Sequence, residues 1–566
     1  MSGDVHYEVF FKKNRKSGWA LSEALEDRAK AIKLAQTLVA KNKDASVRVS
    51  KETFNSEHRK FRSVPVFEAG AETMGAETEK TGEAQLPCLT PDDLSKPHAR
   101  DTIRRVLTGW FERVQAIPME LLHRPDLVEN LEASGTELQH AVQKVAIASA
   151  KDSDAGVHGY VKLLNELVQK SLARIYKDGR DQKLPEYPKK AQFADIAAEI
   201  HNRDRRAYSL RAAMADRLRH EKKFADKLEA LLDMGDSLPA DEAARTFALD
   251  EVDHYMAEVI AFDAGRDALL GSCKDLGETL ERLACLFDGD HSADALNLAP
   301  SAAKRLAKKI KAKEYPACRA TIATNILKEL ERPKRLRPTS VRDEVRLARD
   351  LASRLVICAD STLPADALIK AFASRSARLL QPEIIDELLR HSRGPDEELD
   401  RLIALEENLV GEANKQKLAG YVRSTLSSSR CESWYVRGDA KPLERLAKLT
   451  AQQSKILKGK YPERDKLELA ANFDAMGMKI VDESKIMNMV ESGDRPALDK
   501  ATGLLRLATG GALPIGNCSA DAQARALRHL KSAVGLAEAQ AEDGRAKLRN
   551  IQGMLQTLTN MQAKTG

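Results

Sequence analysis

Aromatic side chains are scarce, with 13 Phe, 10 Tyr and 3 Trp in 566 residues. So little ring surface argues against a large β core. The abundance of Leu, Ala, Lys, Arg and Glu points instead to helix, where these side chains lose little rotamer freedom. Cysteine is also sparse. The seven thiols, Cys88, Cys273, Cys285, Cys318, Cys358, Cys431 and Cys518, form no CxxC and stand at least 12 residues apart. That spacing excludes a disulfide framework and a cysteine-based zinc ribbon. No run of about 18 uncharged apolar residues occurs, which excludes a spanning helix. The N-terminus carries no basic stretch followed by an apolar one, so no secretion signal is expected. A cytoplasmic, soluble protein is the resulting expectation.

The signatures G-x-S-x-G, G-x-x-x-x-G-K-[ST], G-x-G-x-x-G and H-E-x-x-H are missing too. No catalytic residue, metal or cofactor is therefore predicted. Three Glu-x-x-His pairs, Glu120/His123, Glu137/His140 and Glu251/His254, have the one-face spacing of di-iron bundles. The second and third are expected to point away from the apolar stripe of their helix, and Pro118 and Pro125 interrupt the first. Cys431 and His391 could meet in space as a nucleophile and base, but 427–430 reads as a loop and no partner motif accompanies them, so a free structural thiol is the expectation for Cys431.

What is present divides unevenly. Residues 1–67 hold 7 of the 26 aromatics. Tyr7, Val9 and Phe11 alternate, Asn14–Gly18 reads as a turn, and Trp19–Leu25 reads as the returning strand. Asp27 suits the N-cap of a helix carrying Ala31, Ile32, Ala35, Leu38 and Val39. Val47 and Val49, then Phe61–Phe67, alternate again. The prediction is a small ββαββ head over 1–67. Residues 68–99 carry 7 acidic and 2 basic residues with no periodic apolar face, the composition of a flexible acidic linker.

Beyond the linker, apolar residues recur at i, i+3 and i+4 to the end, so the fold class is mainly α with a small α+β head. Over 100–290 long helices are expected, at about 100–117, 126–150, 156–178, 190–233 and 240–286, the last broken near Gly265 or Gly271; together they suggest a bundle. After Asp288–Ser292, breaks arrive about every 20 residues, at Pro316, Pro382, Pro462 and Gly477 among others. That spacing predicts a solenoid-like array of shorter helices over 291–535, followed by a polar C-terminal helix over 536–566.

The formal net charge of +6 conceals a strong asymmetry. Residues 1–67 contain 14 Lys and Arg against 8 Asp and Glu, and residues 301–350 contain 15 against 6, so the remaining chain is net −9. On a helix Lys304, Lys308 and Lys311 share one face, and so do Arg342, Arg346 and Arg349. Between them lies a stiff basic loop with Arg332, Lys334, Arg335 and Arg337 between Pro333 and Pro338. Packed side by side, these segments would form one anion- or partner-binding surface. Tyr315 is the lone aromatic in 301–350, so bases would find no stacking platform there. A second basic patch is expected on the head, from Lys12, Lys13, Arg15 and Lys16 at one turn and Arg59 and Lys60 at the other.

These features favour a non-catalytic scaffold or regulatory adaptor that binds a partner protein through its helical surfaces and its head. A nucleic-acid-associated protein using the 304–349 surface is the alternative, and an enzyme with an unsigned site is the third reading.

Overall fold

A computed structural model describes residues 5–12, 20–42, 45–55, 60–70, 88–149, 156–188, 191–541 and 543–563. The chain forms two compact units, Met1–Cys88 and Leu89–Gly566.

The first unit has the ββαββ order read from the sequence. Strands β1 (Val5–Lys12), β2 (Ala20–Leu25), β3 (Ser46–Asn55) and β4 (Lys60–Gly70) form an antiparallel sheet in the order β2-β1-β3-β4, with the helix Arg28–Lys41 between β2 and β3. Asp27 caps that helix by accepting from the Lys30 amide at 2.8 Å. Val9, Val47 and Val49 pack with Ala31 and Ala35 into a dry core, and Tyr7, Phe11 and Phe67 flank it. β4 continues past the expected boundary at Phe67 to Gly70. Residues 71–87 of the expected acidic linker lie outside the described residues. The chain beyond them is folded, with a short 3-10 turn Asp93–Ser95 leading into the helix Pro97–Val106.

The second unit is helical. Among the described residues of the whole chain there are 28 α-helices, and none is long and apolar enough to cross a membrane. Of the long helices expected before 290, only 156–178 is continuous, as Gly156–Arg180. The stretch 190–233 is three helices, Phe193–His201, Arg206–Leu218 and Phe224–Asp236. The stretch 240–286 is also three, Glu242–Ala261, Asp263–Leu270 and Leu276–Asp288. The reason is visible at Phe262. Its extended backbone turns the chain so that its ring enters the core, 5.7 Å from Phe111 and 5.5 Å from Phe224. The expected break near Gly271 is present, where Gly271 with a φ of 74° ends the helix Asp263–Leu270, whereas the break at Phe262 was not expected because apolar periodicity persists through it.

Gly289 ends the helix Leu276–Asp288 with a φ of 72°. The break at 288–292 is therefore real, but it lies within one apolar cluster that runs from Leu107 to Phe372. The second cluster runs from Leu379 to Leu558. The helix Ala365–Leu379 contributes to both clusters, with Leu368, Ala371 and Phe372 in the first and Leu379 in the second. The C-terminal helix Gly544–Ala563 is not wholly polar, since Ile551 and Leu558 enter the second cluster. Nor does Gly477 break its helix, Glu463–Ser484. A Cβ there would stand 2.7 Å from Pro514 Cγ, so the glycine serves close packing.

One device occurs in both clusters. Asp253, within Glu242–Ala261, accepts the Ala317 and Cys318 amides at 2.6 and 2.8 Å. Asp474, within Glu463–Ser484, accepts those of Asn517 and Cys518 at 2.6 and 2.9 Å. Each aspartate caps the free amides of a following helix, and each cysteine Sγ donates to the carbonyl of the same aspartate.

Candidate functional site

The basic residues singled out in the sequence separate into two groups. The loop arginines are used inside the fold. Arg332 pairs with Asp263 and Glu329, Arg335 with Glu344 and Glu387, and Arg337 with Asp275 and Glu281. The Leu336 carbonyl accepts from the Gly277 amide at 2.9 Å, and the Leu336 amide donates to Glu344 at 3.0 Å. Six carboxylates thus face three guanidiniums, and the expected anion surface is absent from this part of the loop. Sequence reading missed this because the partners lie up to 69 residues away.

Lys304 donates to Asn297 at 3.2 Å, while Lys308 and Lys311 stay exposed. Their neighbours Arg305 and Lys309 are engaged by Glu229, Asp233, Asp236 and Glu314. The helices Ser301–Lys311 and Val341–Ile357 both pack on Leu276–Asp288. Lys334 is exposed in the loop. On the head, Lys12 ends β1 and Lys60 opens β4, whereas Lys13, Arg15, Lys16 and Arg59 lie outside the described residues.

The second group is the stripe on Val341–Ile357. Arg342, Arg346 and Arg349 are exposed, and their nearest carboxylates are loose, with Arg346 3.5 Å from Asp343 and Arg349 3.9 Å from Asp350. Exposed pairs of this kind contribute at most about 1 kcal/mol. The same face continues through Ser353 to Val356 and Ile357, which are 58 % and 85 % exposed. At 100° per residue these six side chains fall within about 100° of arc, along about 22 Å of helix. Ile369, on the adjoining helix Ala365–Leu379, is also exposed. Three cations therefore lead into an uncovered apolar end.

Beside this stripe lies a cavity of about 110 Å3. Ala348, Arg349, Ala352 and Ser353 form one wall; Phe372, Arg375, Ser376 and Leu379 form the second; Glu407, Asn408 and Val410 close the third. It sits where the two apolar clusters meet. The side chain that sequence reading missed here is Arg375, which is 2 % exposed. Its Nη1 donates to the Lys334 carbonyl at 2.5 Å, and its Nη2 to those of Glu329 and Arg332 at 3.1 and 3.0 Å. Those carbonyls surround the C-terminal end of the helix Pro316–Glu331, where positive charge is favourable. Among the described residues Arg375 has no carboxylate in ion-pair contact, and its buried Nε has no partner. Burial, with the Arg378 charge beside it, pulls the guanidinium down to about 10. A signal for it was present in the sequence. Arg375 stands among Leu368, Ala371, Phe372 and Leu379 on the inward stripe of its own helix.

Other buried charges have partners. Glu120 meets Lys227 and Arg124 at 2.5 and 2.8 Å, and Arg211 holds Glu251 through two bonds of 2.7 and 2.9 Å. Glu251 therefore points inward, contrary to the stripe reading, because Arg211 neutralises it there. His123 Nδ1 donates to the Met119 carbonyl over 2.7 Å, and burial pushes its imidazole down to about 3. Among the described residues no three His, Cys, Asp or Glu side chains are grouped to hold a metal ion. Burial pushes the Cys431 thiol up to about 12, so it is no nucleophile at neutral pH. No family model matches the chain, and neither a curated protein nor a solved structure does.

Proposed function

We propose that this chain is a non-catalytic scaffold or adaptor whose helical body binds an acidic, partly apolar segment of a partner protein along the helix Val341–Ile357. The observation that carries this reading is the one-sided stripe Arg342, Arg346 and Arg349 running into exposed Val356 and Ile357. Cations steer an acidic partner, and the apolar end supplies the burial that charge alone does not. The nucleic-acid alternative has lost Arg332, Arg335 and Arg337 to internal carboxylates.

The test is a titration of the full chain with poly-L-glutamate, duplex DNA and RNA at about 50 and 200 mM salt. Poly-L-glutamate is expected to bind, and the variant Arg342→Glu, Arg346→Glu, Arg349→Glu to lose at least tenfold in affinity. Tighter binding of DNA or RNA with a steep salt slope, or an unchanged poly-L-glutamate isotherm in the variant, overturns the proposal.

A further inference from the structure

We infer, on the reading of the arginine stripe given above, that the segment it receives is a single α-helix of the partner, with acidic residues at i, i+4 and i+7, an apolar turn at one end of that row and basic residues on its flanks.

The spacing of the exposed side chains points to a helix. Arg342, Arg346, Arg349, Ser353 and Val356 follow one another at intervals of four, three, four and three residues. At 100° per residue they form a strip about 80° wide and about 21 Å long, while Leu347, Leu351 and Leu355 on the opposite side are buried in the body. A second helix reads this strip at its own pitch, because seven residues advance about 10.5 Å on either helix and each guanidinium then meets a carboxylate of the same row. An extended segment does not. Its side chains on one side recur every two residues, about 6.8 Å, so two steps cover about 13.6 Å where Arg342 to Arg349 covers about 10.5 Å.

The flanks of the strip carry the opposite charge. Asp343 and Asp350, seven residues apart and both more than half exposed, lie along one side. On the other side Ala348 and Ala352 line the small cavity, together with Arg349 and with Glu407, which is exposed on the turn Glu406–Asn408. A row of phosphates laid along the strip would run between these three carboxylates, whereas a helix answers them with lysines or arginines beside its acidic row. A second copy of this chain would set arginine against arginine. Each guanidinium is suited to hold a carboxylate through two parallel bonds. At the far end Val356 and Ile357, with Ile369 of the adjoining helix also exposed, offer apolar surface to the apolar turn of the ligand.

The test uses a capped synthetic peptide of Ala, Glu, Leu and Lys, about 21 residues long so that it holds a helix in water. Its glutamates stand at i, i+4 and i+7, leucines continue the row at both ends so that it fits in either direction, and lysines beside the row bring its net charge to zero. One control has the same composition with the glutamates spread around the helix, and another carries proline between the first two glutamates. Fluorescence anisotropy with the full chain reads affinity, and 13Cα shifts of labelled alanines read the conformation of the peptide. The patterned peptide is expected to bind at least about tenfold more tightly than either control, with its bound alanines at helical shifts. Arg346→Glu should weaken it about tenfold, and a peptide whose central glutamate is lysine should restore binding to that variant. Asp343→Lys, Asp350→Lys should also weaken it, because lysine then faces lysine, although the added charge strengthens the binding of poly-L-glutamate. Equal affinity for the patterned peptide and either control, extended shifts in the bound alanines, tighter binding of the patterned peptide to Asp343→Lys, Asp350→Lys, or no binding of any peptide overturns the helical partner. Poly-L-glutamate binding that is lost in Arg342→Glu, Arg346→Glu, Arg349→Glu while the peptides are not told apart refutes the helix and leaves the stripe reading standing; poly-L-glutamate binding indifferent to those reversals removes both.

Discussion

Replacing Arg335 by Ala should destabilise the helical unit, whereas replacing Arg346 by Ala should not, although both arginines belong to the same basic segment. Arg335 donates to Glu344 and Glu387 at 2.8 Å, and the Glu344 side chain is only 4 % exposed. Removing the guanidinium strands a buried carboxylate with little beyond the Leu336 amide to hold it. Breaking a buried pair from one side costs about 3–5 kcal/mol; since Arg335 itself reaches solvent, about 2–3 kcal/mol is the better figure. Arg346 is 69 % exposed beside Asp343 at 3.5 Å, and its loss should change stability by less than about 0.5 kcal/mol. A cooperative unit spanning Leu89–Gly566 has an unfolding entropy near 1 kcal/mol per degree, so Arg335→Ala should lower the melting temperature by about 2–3 °C. Calorimetry of the two variants beside wild type, with poly-L-glutamate titrations of each, reads stability and binding separately. An Arg335→Ala protein that melts like wild type yet binds anions weakly would refute the assignment of the loop arginines to the fold.

Other consequences follow from buried groups. His123 has its imidazole pushed down to about 3 in the folded chain, against about 6.5 when unfolded. The unfolded state therefore binds the extra proton first, and stability contributed by this residue is full above about pH 6.5 and falls by about 1.4 kcal/mol per pH unit below it; His123→Gln should flatten the acid limb of a melting-temperature profile between pH 6 and 4. Gly477→Ala places a Cβ 2.7 Å from Pro514 Cγ and 3.0 Å from Cys518 Sγ, and chemical denaturation should report a loss of about 1–3 kcal/mol. Cys285 and Cys431, pushed up to about 11 and 12 by burial, and Cys318 and Cys518, buried beside aspartates, should resist iodoacetamide at pH 8 until urea is added. Mass spectrometry of the alkylated peptides checks this.

The parts of this fold that obey local rules were legible in the sequence. The head follows from strand alternation at Tyr7, Val9 and Phe11 and from the Asp27 cap, all of which act within a few residues. The helical class follows from periodicity and composition. Helix ends were less legible, because Phe262 turns the chain for the sake of rings at 111 and 224 rather than through a local glycine or proline. The candidate site was half legible. The exposed arginines at 342, 346 and 349 read correctly as one face, since helical spacing alone determines that. The loop arginines did not, because Asp263, Asp275, Glu281 and Glu387 meet them only after folding. Arg375 was overlooked although an arginine within an apolar stripe is a local anomaly.

Photo-crosslinking in the native cell addresses the proposed interface most directly. With a benzophenone amino acid at Ile357, which is 85 % exposed at the end of the arginine stripe, the adduct should be a protein whose crosslinked peptide is acidic. Nuclease treatment should leave that adduct intact, and Arg342→Glu, Arg346→Glu, Arg349→Glu should abolish it. An adduct with nucleic acid, or a protein adduct indifferent to the three reversals, contradicts the proposal that this helix presents its charge to an acidic partner.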